Sequence, residues 1–304
     1  MVSQARRHPH VQAALLMLAS TMAFGLMAVA IRLASATTAT TEIAFFRNFF
    51  GLLAVLPLVL RRGEPLPRTR HLKRYVVRTV IGLASMLCGF WAIGHLPISQ
   101  AISLAYSTPL FVTIAAALWL GEKVRVRRWL AVLAGFVGVL VVLRPGSDFN
   151  AGMLVALLAA LLSALVAIQI KQLARLDPPD TVVYFTYLFW VPLSLVPALF
   201  QWTWPHGIEW LWLALTGLLG TAGQVLWTRA LRLGEVSALQ PISFMQLPLV
   251  ATFGWWLFGE SVDRWTVIGA GIILGANAYI AHREALLARK AASSEPTTAA
   301  KPGE

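Results

Sequence analysis

The 304-residue sequence predicts an all-α integral membrane protein, with ten transmembrane helices arranged as two inverted five-helix repeats and both termini in the cytoplasm. Three observations carry that prediction. The chain is 58% hydrophobic and only 12% charged, whereas a soluble domain is normally less apolar and about twice as charged. Its second half repeats the first at an offset of 138 to 139 residues: Gly121-Glu122 matches Gly259-Glu260, Ala92 matches Ala230, and Arg32 matches Lys171. Lys and Arg fall on alternate loops in a ratio of twenty to three once the N-terminus is set inside, and an excess of that kind marks the cytoplasmic side.

The ten apolar segments cover roughly 11–31, 42–60, 75–94, 98–120, 129–144, 151–171, 181–200, 209–231, 236–258 and 265–282. A hydrocarbon core of ~30 Å needs ~20 apolar residues per helix, and in lipid a continuous run of that length must be helical to satisfy its own backbone. The first segment follows Arg6-Arg7 and ends in Ala34-Ser35-Ala36, as a secretory signal would. It is longer than a signal core of roughly 7–15 residues, and its repeat partner at 151–171 is internal, so it is expected to be retained. The second segment carries Arg47 near its middle, with Glu42 at its edge; Glu42 and Arg32 flank one outer loop and are expected to form a rim ion pair. The third holds Arg78, Trp91 and the sole cysteine, Cys88, so no intramolecular disulfide can form.

Along the fourth segment Gln100, Ser103 and Ser107 share one helical stripe, with Tyr106 beside it. The ninth segment, its repeat partner, carries Ser237, Gln240, Ser243 and Gln246. Hydrogen-bonding side chains face lipid only at a cost, so both stripes are expected to face inward, toward one space between the halves. Pro109, Pro241 and Pro248 break the backbone ladder beside them, and such breaks are tolerated where they line cavities or where side chains re-satisfy the freed carbonyls. Gln169 in the sixth segment, Tyr187 in the seventh, and Gln224 and Trp227 in the eighth complete the candidate pocket, together with Trp91. Aromatic side chains can supply flat walls and hold cations over their faces. Glu122 and Glu260 end the fourth and ninth segments as interfacial ion-pair anchors, Glu260 beside Arg264. Gly271 and Gly275 in the tenth are read as a small-residue helix contact.

Residues 1–146 form the first repeat and 147–291 the second, joined at the Pro/Gly turn within LRPGSDFNAG. Residues 292–304 read as a disordered cytoplasmic tail. Odd-span repeats must enter the membrane from opposite sides, which places a two-fold axis in its plane, the architecture of alternating access.

Ten spans in two homologous halves, an Arg in the second span, and a Pro-…-Gly-Glu ending to the fourth and ninth spans resemble the EamA family of the drug/metabolite transporter superfamily. EIAFFRNFFGLLAVLP and the stretch ending VVLRPGSDFN are also similar to the S-adenosylmethionine uptake carriers of that superfamily. The resemblance implies a substrate site between spans one, three and four and spans six, eight and nine. The halves have diverged, because Thr186 stands where Arg47 would be repeated and Pro248 lies one position later relative to Gly-Glu than Pro109 does.

These features point to a secondary transporter in the inner membrane, a multi-pass carrier of a small organic solute. No Asp or Glu lies deep in any span, whereas Arg47 does, at a cost of at least ~2.5 kcal/mol if left in lipid. That favours a solute with a carboxylate, such as an amino acid or a derivative. A nucleoside-like cation such as S-adenosylmethionine and a non-transporting scaffold are the competing readings. The expected partners are the small-molecule solute and the lipid bilayer, with a homodimer left open. The basic excess orients the chain and touches headgroups, so nucleic acid is not expected. No cofactor and no metal are expected, since the six histidines show no ligand spacing. No nucleophile–base pair is visible, so no enzyme is expected.

Overall fold

Leu130, Leu133, Val137 and Leu140 recur at helical spacing on a single helix and all remain exposed. An apolar stripe like that would be buried in water, but lipid is its natural surrounding. The computed structural model describes residues 7–60, 69–119, 126–144, 150–173, 176–177, 179–233, 239 and 242–294. Within them the helices are α1 (Arg7–Ala34), α2 (Thr40–Leu60), α3 (Leu72–His95), α4 (Ile98–Ala105), α5 (Thr108–Trp119), α6 (Val126–Leu143), α7 (Ala151–Leu173), α8 (Pro179–Leu199), α9 (Glu209–Leu233), α10 (Gln246–Phe258) and α11 (Arg264–Ser294). Six stretches are long and apolar enough to cross a membrane: Val11–Ala34, Leu72–His95, Ile98–Leu118, Ala151–Ile170, Glu209–Trp227 and Arg264–Arg283. The chain is an all-helical multi-pass membrane protein.

Helices α1 and α9 pack together, as do α3 and α7, α2 and α8, and α6 and α11; α2 also lies on α9, α3 on α8, α5 on α7, and α10 on both α1 and α4. Small residues allow the tightest of these approaches. A Cβ on Gly217 of α9 would come within 2.5 Å of Phe50 Cβ and 3.0 Å of the Arg47 carbonyl oxygen on α2. A Cβ on Gly269 of α11 would come within 2.6 Å of the Gly138 carbonyl oxygen on α6. Gly271 and Gly275, the expected contact glycines, have open space around them. The α6 contact falls two residues earlier because the buried face of α11 carries Gly269, Ala270 and Ile273.

The fourth apolar segment is two helices, not one. Pro109 has no N–H and its ring collides with the carbonyl four residues earlier, so the chain turns at Tyr106–Ser107 and restarts as α5. Hydroxyls take over the freed carbonyls: Ser107 Oγ donates to Leu104 O at 2.6 Å and Thr108 Oγ1 to Ala105 O at 2.8 Å. Pro248 stands one residue further from the turn at Phe244–Met245, as the third residue of α10 where Pro109 is the second of α5. Thr113 and Thr252, at the repeat offset, donate to Pro109 O and Pro248 O.

One end of the bundle is tied by carboxylates. Arg32 donates to Glu260 at 3.0 Å and to the carbonyls of Ile93 and Gly94, and the second Glu260 oxygen accepts from Ile98 N at 2.8 Å. Gly259, at φ 64°, ends α10 in the left-handed region that glycine permits and aims Glu260 back at α1. The expected Arg32–Glu42 pair does not form. Glu42 is fully buried and accepts from Ala39 N, Thr203 N and Thr203 Oγ1 instead, which suits a carboxylate on the first turn of a helix. Arg264 lies over Trp265 rather than beside Glu260, and Arg144 pairs with Asp263. At the opposite end Asp177 accepts from Thr69 Oγ1 and Tyr75 OH. α11 extends to Ser294, three residues into the expected tail, because Ala, Leu, Glu, Arg and Lys favour helix. Residues 295–304 and Glu122 lie outside the described residues.

Candidate substrate-binding site

The candidate residues fall into three groups. The first gathers where the two helix breaks meet. Tyr106 OH donates to Ser243 O at 2.7 Å and lies 3.4 Å from Gln246 Oε1, while its ring meets Phe244 edge-on at 5.6 Å between centroids. Asn277 Nδ2 donates to the Tyr106 carbonyl at 2.7 Å, so the turn is held from α10 and α11 together. Ser103 and Ser107 were expected to open into a shared space. Both are fully buried and donate to their own helix, Ser103 to Ser99 O and Ser107 to Leu104 O. Back-bonding of this kind is how a serine settles in a helix without an external partner. Gln240, Ser237 and Pro241 lie outside the described residues.

The second group stands at the end tied by Glu260. Gln100 lines a cleft of about 300 Å³ with Leu96, Asn150, Met153, Asp263 and Thr266, and its amide touches Met153 Sδ. Trp91 stacks on His95 at 4.1 Å, one turn away, and packs against Gly152 at the start of α7.

The third group surrounds Arg47. The Arg47 guanidinium carbon lies 5.7 Å from the Tyr187 ring centroid and 5.5 Å from that of Trp190, both on α8. Nη1 donates to Asn48 Oδ1 at 3.0 Å, and Nε faces Gly220 of α9, where a Cβ would come within 3.4 Å. Trp190 is fixed in turn by its indole N–H, which donates to Thr79 O at 3.1 Å, and by Gly82, which leaves room for its ring. A second cation shares that ring: the Arg78 guanidinium carbon is 5.9 Å from its centroid. Arg78 Nη1 donates to Thr186 Oγ1, the residue at the repeat position of Arg47. Among the described residues the ion pairs are Arg32–Glu260 and Arg144–Asp263, so neither Arg47 nor Arg78 has a carboxylate partner.

A charge in a membrane interior costs at least ~2.5 kcal/mol, and a desolvated ring returns ~2 kcal/mol. The rings therefore go some way to stabilise each charge, but they leave in-plane N–H donors for another acceptor. Sequence reasoning found Arg47 and Tyr187 and missed Arg78, Trp190, Thr186 and Asn48. A signal existed for Arg78, the other arginine inside an apolar segment. None existed for Trp190, one of 12 tryptophans.

Gln169, Gln224 and Trp227 do not join these groups. Gln169 Oε1 is buried on α7 without a hydrogen-bond partner, and Gln224 and Trp227 are exposed on α9.

The profile of the EamA-like transporter family matches residues 11–144 and again 150–281. A riboflavin transporter of Vibrio cholerae is 31% identical, over 93% of this chain and 97% of its own. A pseudopaline exporter of Pseudomonas aeruginosa is 32% identical, over 86% of this chain and 93% of its own. An S-adenosylmethionine uptake transporter of Rickettsia bellii is 29% identical, over 80% of this chain and 83% of its own. One solved crystal structure aligns with a TM-score of 0.62 over 91% of this chain and 98% of that one, at 20% identity, which shows a shared fold.

Proposed function

The chain belongs to the EamA-like transporter family, whose relatives here move small molecules across membranes, and from that premise we propose an inner-membrane secondary carrier for a small organic solute bearing a carboxylate, such as an amino acid or a derivative. It works by alternating access of two five-helix halves, residues 1–146 and 147–291, with both termini in the cytoplasm. The helix packing supports two equivalent halves. Exchanging α1 for α7, α2 for α8, α3 for α9, α4–α5 for α10 and α6 for α11 leaves the α2–α8 and α6–α11 contacts unchanged and turns the α1–α9 contact into α3–α7. The meeting of the Tyr106 and Phe244 turns, one from each half, places two soft points of the backbone at a common centre, where rocking needs them.

The observation that carries the reading is Arg47: a cation inside the bundle, beside two aromatic rings and with no carboxylate partner among the described residues, at the interface of α2 with α8 and α9. Its planar fork suits a carboxylate. Tyr106, Ser243, Gln246, Gln100, Trp91, Gln169, Gln224, Trp227, Gln240, Ser103 and Ser107 stay in the proposal as residues that alternating access brings to the path in other conformations.

A second reading has its own support. The rings of Tyr187 and Trp190 meet edge-on at 6.1 Å and form an aromatic wall against which a flat heteroaromatic solute could stack, and relatives are named for riboflavin and S-adenosylmethionine. A thermal-shift screen of the purified protein separates the two. The library holds amino acids, their acylated derivatives, riboflavin and S-adenosylmethionine. A ligand at 100 times its dissociation constant stabilises by ~2.7 kcal/mol. Carboxylate-bearing hits favour the first reading and riboflavin alone the second, whereas a screen in which no solute shifts the protein contradicts both and leaves a non-transporting scaffold.

A further inference from the structure

We infer that Arg78 is a second anion-binding residue of this carrier, and that Arg47 and Arg78 form two stations for the solute's anionic group, linked by the Trp190 ring that both guanidiniums approach. The inference rests on the carrier reading and extends it to a residue which that reading does not use.

Burial and hydrogen bonding single out Arg78. It is 6% exposed, and its Nε is buried with no hydrogen-bond partner. Its Nη1 donates to Thr186 Oγ1, and that hydroxyl in turn donates to Val182 O at 2.6 Å. The arginine is thus held from one side only, while the Nε edge, where a guanidinium offers two parallel donors to a carboxylate or phosphate, stays unfilled. A cation over a ring is stabilised as a charge, but the ring accepts none of its in-plane N–H bonds. Two like-charged guanidiniums on one indole, with no carboxylate paired to either among the described residues, form an arrangement that an anion would neutralise.

The placement gives the pair a direction. Arg47 lies seven residues into α2, which starts at the end where Glu42 and Glu260 tie the helices. Arg78 lies six residues into α3, which starts at the opposite end, beside Asp177. At 1.5 Å per residue each sits roughly 10 Å from its own end, and Trp190, midway along α8, is in reach of both. All the helices involved, α2 and α3 against α8, face each other across the interface between the halves. An anionic group entering from one end meets one guanidinium, and leaving by the other end it meets the second. The recognised chemistry is a carboxylate or phosphate on a small solute.

Benzoate, with benzamide as its uncharged counterpart, tests the assignment on the full chain in detergent, by thermal unfolding as a function of ligand concentration. Benzoate is expected to raise the melting temperature of the wild type and benzamide is not. Arg78→Gln is expected to weaken apparent benzoate affinity at least tenfold, and Arg47→Gln likewise. Arg78→Lys keeps the charge but not the two-donor edge, and it covers the case in which Arg78→Gln does not fold; it is expected to weaken binding about fivefold or more. Wild-type benzoate affinity in Arg78→Lys overturns the inference, as does loss of binding in Arg47→Gln alone with Arg78→Gln unaffected; the latter leaves the carrier with a single anchor. Equal response to benzoate and benzamide, or to neither, also overturns it, whereas the carrier reading itself is decided by solute transport.

Discussion

Arg47 and Tyr106 are the side chains on which function and packing turn, and they should respond differently to removal. Replacing Arg47 by alanine removes a half-buried charge within the apolar span along with its own insertion penalty, so folding should be unaffected. Transport should fall at least tenfold, since one charge-assisted hydrogen bond contributes about 1.5–3 kcal/mol. Arg47→Lys should rescue little of it, because an ammonium cannot reproduce the planar two-donor contact. Tyr106→Phe is the opposite case. It deletes the bond to Ser243 O that joins the two turns, and should lower stability by about 0.5–1.5 kcal/mol, read as a drop in melting temperature. Both residues were visible in the sequence as polar groups within apolar runs. Which neighbours they meet was not, because Trp190, Phe244 and Arg78 come from distant segments whose own patterns carry no sign of the meeting.

At the scale of the helix, the breaks and the glycines decide how closely neighbours approach. Gly217 faces Phe50 Cβ and the backbone of Arg47 and Gly51, atoms that cannot swing away. Gly217→Ala should therefore destabilise by about 1–3 kcal/mol through overpacking. Gly271→Ala, with open space around it, should be neutral or should stabilise by up to about 1 kcal/mol from helix propensity. Melting of the two variants side by side checks the contrast. Apolar run length located the helical stretches among the described residues, though not the division of the fourth segment into two helices, and the prolines marked where the fourth and ninth segments soften. The turn at Tyr106–Ser107 was not legible as a full break, because serine and threonine hydroxyls, ordinary in any helix, do the re-satisfying. The Arg32–Glu42 expectation failed for a related reason: proximity along the chain suggested the pair, whereas Gly259 turns Glu260 back to Arg32 from the far end of the sequence.

For the whole molecule, the sequence repeat and the loop charges govern the arrangement expected in the membrane. With Lys and Arg at twenty to three, both termini should be cytoplasmic. An alkaline phosphatase fused after Glu304 should be inactive, and one inserted near Gly207 active; the reverse would invert the orientation. What charge and period could not convey is the conformation, in which Ser103 and Ser107 are sealed and the described cleft lies at one end. On the carrier reading, a solute crosses by way of Arg47. The most direct measurement of that crossing is counterflow of the best thermal-shift ligand into proteoliposomes, wild type against Arg47→Ala, normalised to folded protein. Saturable exchange is expected in the wild type, with at least a tenfold loss in the variant at an unchanged melting temperature. Equal exchange per folded molecule in the two proteins would contradict it.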